Sequence, residues 1–188
     1  PFQYHSGRRR QPGPPVRKTR VMSRYRSLVA EPLTREAFAL FGDVIDTDGA
    51  ESFPINQGRT ERFHALSRVE LSGATDRGIL SIFRGQPLTP LEIALMERHP
   101  LGSQSFIPMN NVDFLAVVAP PGDFDEAAVR VFLVKGHQGV TYHAGTWHAP
   151  LLPLTADADY LVVDRQGLGQ NCDEVDLQQS IKPILANG

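Results

Sequence analysis

A chain of 188 residues with 41% hydrophobic and 21% charged side chains has the make-up of one globular domain, which excludes a fibrous or wholly disordered protein. Nineteen Lys and Arg against 21 Asp and Glu leave a formal charge of −2, so there is no global positive field of the kind that marks a nucleic-acid binder. No apolar run approaches the roughly 20 residues of a membrane-spanning helix, and a single cysteine, Cys172, without an Asn-x-Ser/Thr sequon points to the cytoplasm.

Charge is uneven along the chain. Residues 1–21 hold six basic side chains, four prolines, two glycines and no acid, which leaves 13 basic against 21 acidic groups from Met22 onward. We expect this segment to be a flexible tail foreign to the native protein, with Met22 as the natural start and residues 22–188 as one domain.

Thr34 can cap, Glu36 suits a first turn, and Phe38 and Phe41 share a face, so a short helix is predicted within Pro32–Gly42. Thr89-Pro90-Leu91-Glu92 carries a cap, a first-turn proline and a capping-box carboxylate, which predicts a second helix ending near Arg98. The remaining periodic segments read as short strands: Asp43–Ile45, Ile79–Arg84, Gln104–Met109, Asp113–Val118, Arg130–Leu133, Gly139–Tyr142 and Tyr160–Asp164. Turn residues recur between them, so the expected fold is mainly β, a sandwich or barrel with a few short peripheral helices.

Three stretches concentrate polar chemistry. In Gly139–Pro150, His143 and His148 flank a glycine turn; if strands on either side pair, both rings meet at the strand ends, where they can ligate a metal, exchange protons, or simply hydrogen-bond to backbone. Trp147 between them is expected to anchor the core. In Glu97–Pro108, Glu97, Arg98 and His99 sit at the expected helix-to-strand junction, with Glu97 and His99 as functional groups on irregular backbone or, alternatively, Arg98 and His99 as cations capping the helix end. Gln104 then enters a strand with Phe106 on its face. In Ile55–His64, Arg62 and His64 share one side of an extended segment with Phe63 opposite; guanidinium groups there suit a small carboxylate, and a solvated surface strand accounts for Arg59 and Glu61 equally well.

Taken in order, the strings P-L-T-R-E-A-F-A-L-F-G-D-V-I (32–45), I-N-Q-G-R-T-E-R-F-H (55–64), E-R-H-P-L-G-S-Q-S-F-I-P-M (97–109), G-V-T-Y-H-A-G-T-W-H-A-P-L (139–151) and D-R-Q-G-L-G-Q-N-C-D (164–173) resemble the ureidoglycolate lyase family of allantoin degradation. The resemblance spans Leu28 to Asp176. It implies a cupin-like barrel, or double-stranded β-helix, that is homodimeric and cleaves (S)-ureidoglycolate to glyoxylate and urea. Gly145 falls three residues before His148, the spacing of the second cupin motif, with His143 where a proline usually stands. Laid over the first motif, the pattern makes Glu97, His99 and Gln104 metal ligands beside His148. Nickel is the divalent ion that the family's description suggests.

The substrate carbon bears a hydroxyl, a carboxylate and a ureido nitrogen, so elimination needs a base at the hydroxyl and an acid at the nitrogen, each worth about 10² to 10⁴ in rate. His143 and His148 are the expected pair, with His64 and His99 behind them. Arg62 or Arg84 is expected to bind the carboxylate, Asn56 and Gln104 the urea moiety, with Lys135 and Asp164 as further polar groups at strand ends. The competing readings are another metal-dependent cupin enzyme acting on a small carboxylate, a non-catalytic cupin that only binds ligand, and an amidohydrolase releasing ammonia from the same substrate.

Overall fold

Phe114–Ala119, F-L-A-V-V-A, is buried at every position, as a strand covered on both faces must be. In the computed structural model, which describes residues 25–186, this strand (β9) is paired on both edges in the larger of the two sheets that build the barrel. Phe114, Ala116 and Val118 face the barrel interior; Leu115, Val117 and Ala119 face a second apolar layer with Ile93, Met96, Val131, Trp147 and Ile181.

The larger sheet runs β1 (Tyr25–Val29), β15 (Asp173–Ile184), β7 (Ile93–Arg98), β12 (Trp147–His148), β9, β10 (Arg130–Val134), β2 (Glu31–Pro32), with β13 (Leu152–Pro153) also on β9. The smaller runs β3 (Gly42–Ile45), β11 (Gly139–Tyr142), β8 (Gln104–Pro108), β14 (Ala158–Gln166), β6 (Arg77–Gly85). Their facing sides share one interior, filled by Phe38, Phe41, Phe106, Phe132, Tyr142 and Tyr160 among others. This is the mainly β, cupin-like barrel that the sequence predicts, and each of the seven expected strands lies within two residues of its predicted ends. A separate hairpin, β4 (Ser52–Ile55) and β5 (Thr60–Phe63), belongs to neither sheet.

The first helix is present but shorter, α1 at Arg35–Phe38, with the Ala37 N–H donating to Thr34 Oγ1 at 3.1 Å. Gly42 instead opens β3, where a Cβ would stand 1.7 Å from the Thr141 carbonyl oxygen, so only glycine fits. The second expected helix does not form. Residues 89–92 make a turn (Glu92 N–H to Pro90 O, 2.8 Å) and Ile93–Arg98 is a strand between β15 and β12. The capping signals are local, and pairing on both edges of this segment outweighs them. Arg98 and His99 therefore cap no helix. Arg98 pairs with Asp173 at 2.9 Å and lies over the Trp147 ring, which is buried as expected.

His143 and His148 do not close a hairpin. β11 belongs to the smaller sheet and β12 to the larger, and the chain crosses between them at Gly145 (φ +81°), with Thr146 Oγ1 donating to the Phe41 carbonyl at 2.9 Å. The expectations for residues 1–21 lie outside the described residues. Among those described, no helix is long and apolar enough to cross a membrane.

The loop 65–76 covers the outer side of the smaller sheet and is tied to β14 by Arg165, which donates to both oxygens of Asp76 and to the Leu168 carbonyl, the paired side chains being 4% and 2% exposed. The guanidinium hydrogen bonds hold the Asp76 carboxyl below the usual carboxylate range against the opposing effect of burial. A pKa lowered by folding contributes stability that is complete above the unfolded value, near 4, and is lost as pH falls through the folded value. Asp76→Asn is expected to lower the melting temperature at neutral pH and to make its decline in acid shallower; equal acid slopes in the two proteins would refute this role.

Candidate active site

Because His148 of β12 stands directly opposite Glu97 of β7, both side chains project from the same, inner face of the sheet. His148 is 1% exposed, its ring stacked on Tyr142 with centroids 4.4 Å apart, and its Nδ1 lies 3.0 Å from the Thr146 carbonyl. His99 follows β7 directly, with Nδ1 2.6 Å from the Asn171 carbonyl. A ring nitrogen so close to a carbonyl oxygen carries a proton, which turns Nε2 of each ring toward the barrel interior as the atom free to bind.

Both Nε2 atoms are buried without a hydrogen-bond partner. The rings are 5.1 Å apart, Glu97 Oε1 is 3.5 Å from His148 Nε2, and the donor atoms of Glu97, His99 and His148 all lie within 4.8 Å of one another. Two imidazoles and a carboxylate converging in this way can hold a divalent metal ion. The carbonyls of Thr146 and Asn171 then act as outer supports that fix each ring's tautomer and aim.

Gln104, at the start of β8 and 7% exposed, has a buried Oε1 without a partner, and it shares the inner face with Phe106 as the two-residue period predicts. By the same period Asp164 continues the inward row of Ala158, Tyr160 and Val162 on β14, and its Oδ1 is likewise buried and unpartnered. Two clefts meet at Gln104. One, of about 350 Å³, is lined by His99, Asp164, Asn171 and Cys172; the other, of about 400 Å³, by Phe83, Arg84, Glu97 and Phe106. A larger cleft, about 710 Å³ beside Glu126 and Gln178, contains no histidine or cysteine in its lining.

The fields within the site differ from group to group. The His148 imidazole beside it keeps the Glu97 carboxyl below the usual carboxylate range, with His99 assisting and burial opposing. Burial pushes the Asp164 carboxyl up, against the pull of His99 and of the Gln104 amide. Burial also raises the Cys172 thiol, aided by Glu97.

Glu97, His99, Gln104 and His148 are thus brought together. The other candidates lie apart from this cluster. His143 Nε2 faces Asp43 at 3.3 Å, both side chains about one-third exposed. Asn56, Arg62 and His64 lie on and beside the β4–β5 hairpin, Arg62 and His64 on the same side as expected, where both meet the Phe53 ring. Arg84 reaches the rim of a cleft and is paired with Asp159 at 2.7 Å. Lys135 is paired with Asp113. Sequence reasoning missed Tyr142, Asn171 and Thr146. The two carbonyls carry no side-chain signature, and only the D-R-Q-G-L-G-Q-N-C-D string marks Asn171.

A family profile described as Ureidoglycolate lyase matches residues 25–183, the whole barrel and every group of the site. Curated proteins named ureidoglycolate lyase align along the same length. One from Pseudomonas fluorescens (strain SBW25) is 52% identical over 163 residues, 86% of this chain and 98% of its own. One from Pseudomonas syringae pv. syringae (strain B728a) is 55% identical over 151 residues, 79% and 89% of the two chains. One from Burkholderia mallei (strain NCTC 10229) is 48% identical over 157 residues, 83% and 92%. A barrel whose inward histidines, acids and glutamine fall within a match of this length and identity leaves one assignment: the chain belongs to the ureidoglycolate lyase family.

Proposed function

We propose that this protein is a ureidoglycolate lyase, cleaving (S)-ureidoglycolate to glyoxylate and urea in the cytoplasm as a homodimer, with the reaction centred on Glu97, His99, Gln104, His148 and Asp164. The observation that carries the reading is the convergence of two unpartnered Nε2 atoms and a carboxylate beside the unpartnered oxygens of Gln104 and Asp164, in a chain of this family.

The hydroxyl and the ureido nitrogen are geminal, so one carboxyl can serve both. Asp164 Oδ1 takes the hydroxyl proton, the carbonyl of glyoxylate forms, the C–N electron pair passes to nitrogen, and the same carboxyl returns the proton to the departing urea. Gln104, with its Oε1 free, orients the urea N–H groups by accepting from them. Glu97, His99 and His148 are the residues that would hold a divalent ion, nickel among those suited to such a nitrogen and oxygen set. When bound, that ion would supply Lewis-acid polarisation of the substrate's oxygens.

Incubation with racemic ureidoglycolate, following urea, glyoxylate and ammonia together, tests the reading. Consumption of half the substrate with equal urea and glyoxylate and no ammonia is expected. Ammonia release would make the protein an amidohydrolase, and an inert protein would leave a binding module or a cupin enzyme of another class.

A further inference from the structure

Residues 52–63 leave the barrel as a two-stranded arm, paired from Ser52↔Phe63 to Ile55↔Thr60. Among the described residues its polar and ring contacts close on the arm and its two flanking residues: Asn56 Nδ2 to Thr60 Oγ1, Arg59 Nε to the Asn56 carbonyl, Arg62 over Phe53, Phe53 against His64, and the His64 N–H to the Glu51 carbonyl. Only Phe53 and Ile55 are even partly covered, and Phe63 is 39% exposed. A lone hairpin is marginal in water without a third strand or a packed helix. An arm of fixed register that also carries one of the strings relating this chain to its family is therefore built to be covered.

Charge indicates by what. On the reading that the substrate bears a carboxylate, the site presents Glu97 and Asp164, and each arginine at or near its rim already faces an acid: Arg84 with Asp159, Arg98 with Asp173, Arg165 with Asp76. The arm offers Arg59 and Arg62, neither of which has a carboxylate partner among the described residues. Beside the cleft the smaller sheet ends in the edge strand β6, whose Phe83 faces the cleft while Leu80, Ile82 and Arg84 alternate onto its other face, Leu80 and Ile82 being 72% and 53% exposed and Arg84 reaching round to the cleft rim. An open edge with exposed apolar side chains is a surface for pairing with another chain.

We propose that the occupant is a second copy of this chain. In a two-fold dimer the arm of each protomer lies along β6 of its partner and brings Arg62 to the mouth of the partner's Glu97–His99–His148 cleft, where its guanidinium binds the substrate carboxylate. Two-fold symmetry makes the exchange reciprocal, so a dimer has two complete sites and a monomer none. This inference rests on the substrate class proposed above.

Two differently tagged chains, one with Arg62→Ala and one with Glu97→Gln, are co-expressed and the mixed dimer is isolated through both tags. The Arg62→Ala homodimer is expected to lose about 10- to 100-fold in kcat/KM, as a lost hydrogen bond to a charged group does. The mixed dimer has one intact cleft served by one intact arm and is expected to recover about half the wild-type turnover per dimer. A mixed dimer no better than its Arg62→Ala parent, or a wild-type protein that sediments as a monomer, would overturn the proposal. A readout independent of activity is a photocrosslinker at position 62 in dimers of isotopically light and heavy chains. Capture of β6 peptides from the other chain supports the trans arm, and capture only within one chain overturns it. Interchain capture in a wild-type protein inert toward ureidoglycolate would sink the substrate reading and leave the arm standing.

Discussion

Glu97→Gln and His99→Gln are each expected to lower kcat/KM for ureidoglycolate by about 10² to 10⁴, the range for losing a group that acts in proton transfer or its alignment. Both replacements are close in size to the residues they replace, and the variants are expected to fold, checked by circular dichroism. Glu97→Gln removes a carboxyl that the His148 imidazole beside it holds below the usual carboxylate range, and with it the charge that faces the two Nε2 atoms. His99→Gln removes one of those Nε2 atoms, and with it the hydrogen bond from Nδ1 to the Asn171 carbonyl. Because the same atoms could hold a divalent ion, any such ion retained through gel filtration is expected to fall in parallel with activity, read by elemental analysis of matched samples. Retention of a tenth or more of wild-type activity by both variants would move the chemistry out of this cluster.

Phe38→Ala is expected to cost about 3 to 5 kcal/mol of stability, the usual penalty for emptying an aromatic site in a packed core. Phe38 is fully buried and meets Phe132 edge-on at 5.4 Å, Phe41 at 5.8 Å and Tyr142 at 6.2 Å. It is also the residue by which α1 is fastened to the barrel. Tyr142 is in turn the ring on which His148 stacks, so the cavity loosens the wall behind the site, and kcat is expected to fall even at temperatures where the variant stays folded. Urea denaturation checks the first expectation and turnover at low temperature the second. A loss below about 1 kcal/mol would mean that the interior collapses around the gap, contrary to the packing described.

Strands with β-branched or aromatic runs between turn residues were legible because period two and turn chemistry are local; the Phe114–Ala119 run even announces burial on both faces. The Thr34 cap was legible for the same reason. Thr89–Arg98 misled because its helix signals are equally local, whereas the partner that makes it a strand, Asp173–Ile184, lies about 80 residues on and hides its apolar positions among Asp, Glu and Gln. Which sheet a strand joins is also non-local, so the turn between His143 and His148 reads as a hairpin although it carries the chain from one sheet to the other. Within the site, the cupin spacing grouped Glu97, His99, Gln104 and His148. Asp164 stood out only as a strand-end acid, and the carbonyls of Thr146 and Asn171 that fix the two tautomers had no side chain to reveal them.

Ureidoglycolate is expected to react at the Glu97–His99–His148 cluster inside the barrel. The most direct test is a side-by-side measurement of kcat/KM for His148→Gln and His143→Gln, with circular dichroism confirming that both fold. His148 is enclosed at the cluster, and His143 sits part-exposed against Asp43. A fall of about 10² to 10⁴ is expected for His148→Gln and a change within about two- to threefold for His143→Gln, as for a surface substitution. The reverse pattern would contradict this expectation and put the chemistry at His143 and Asp43.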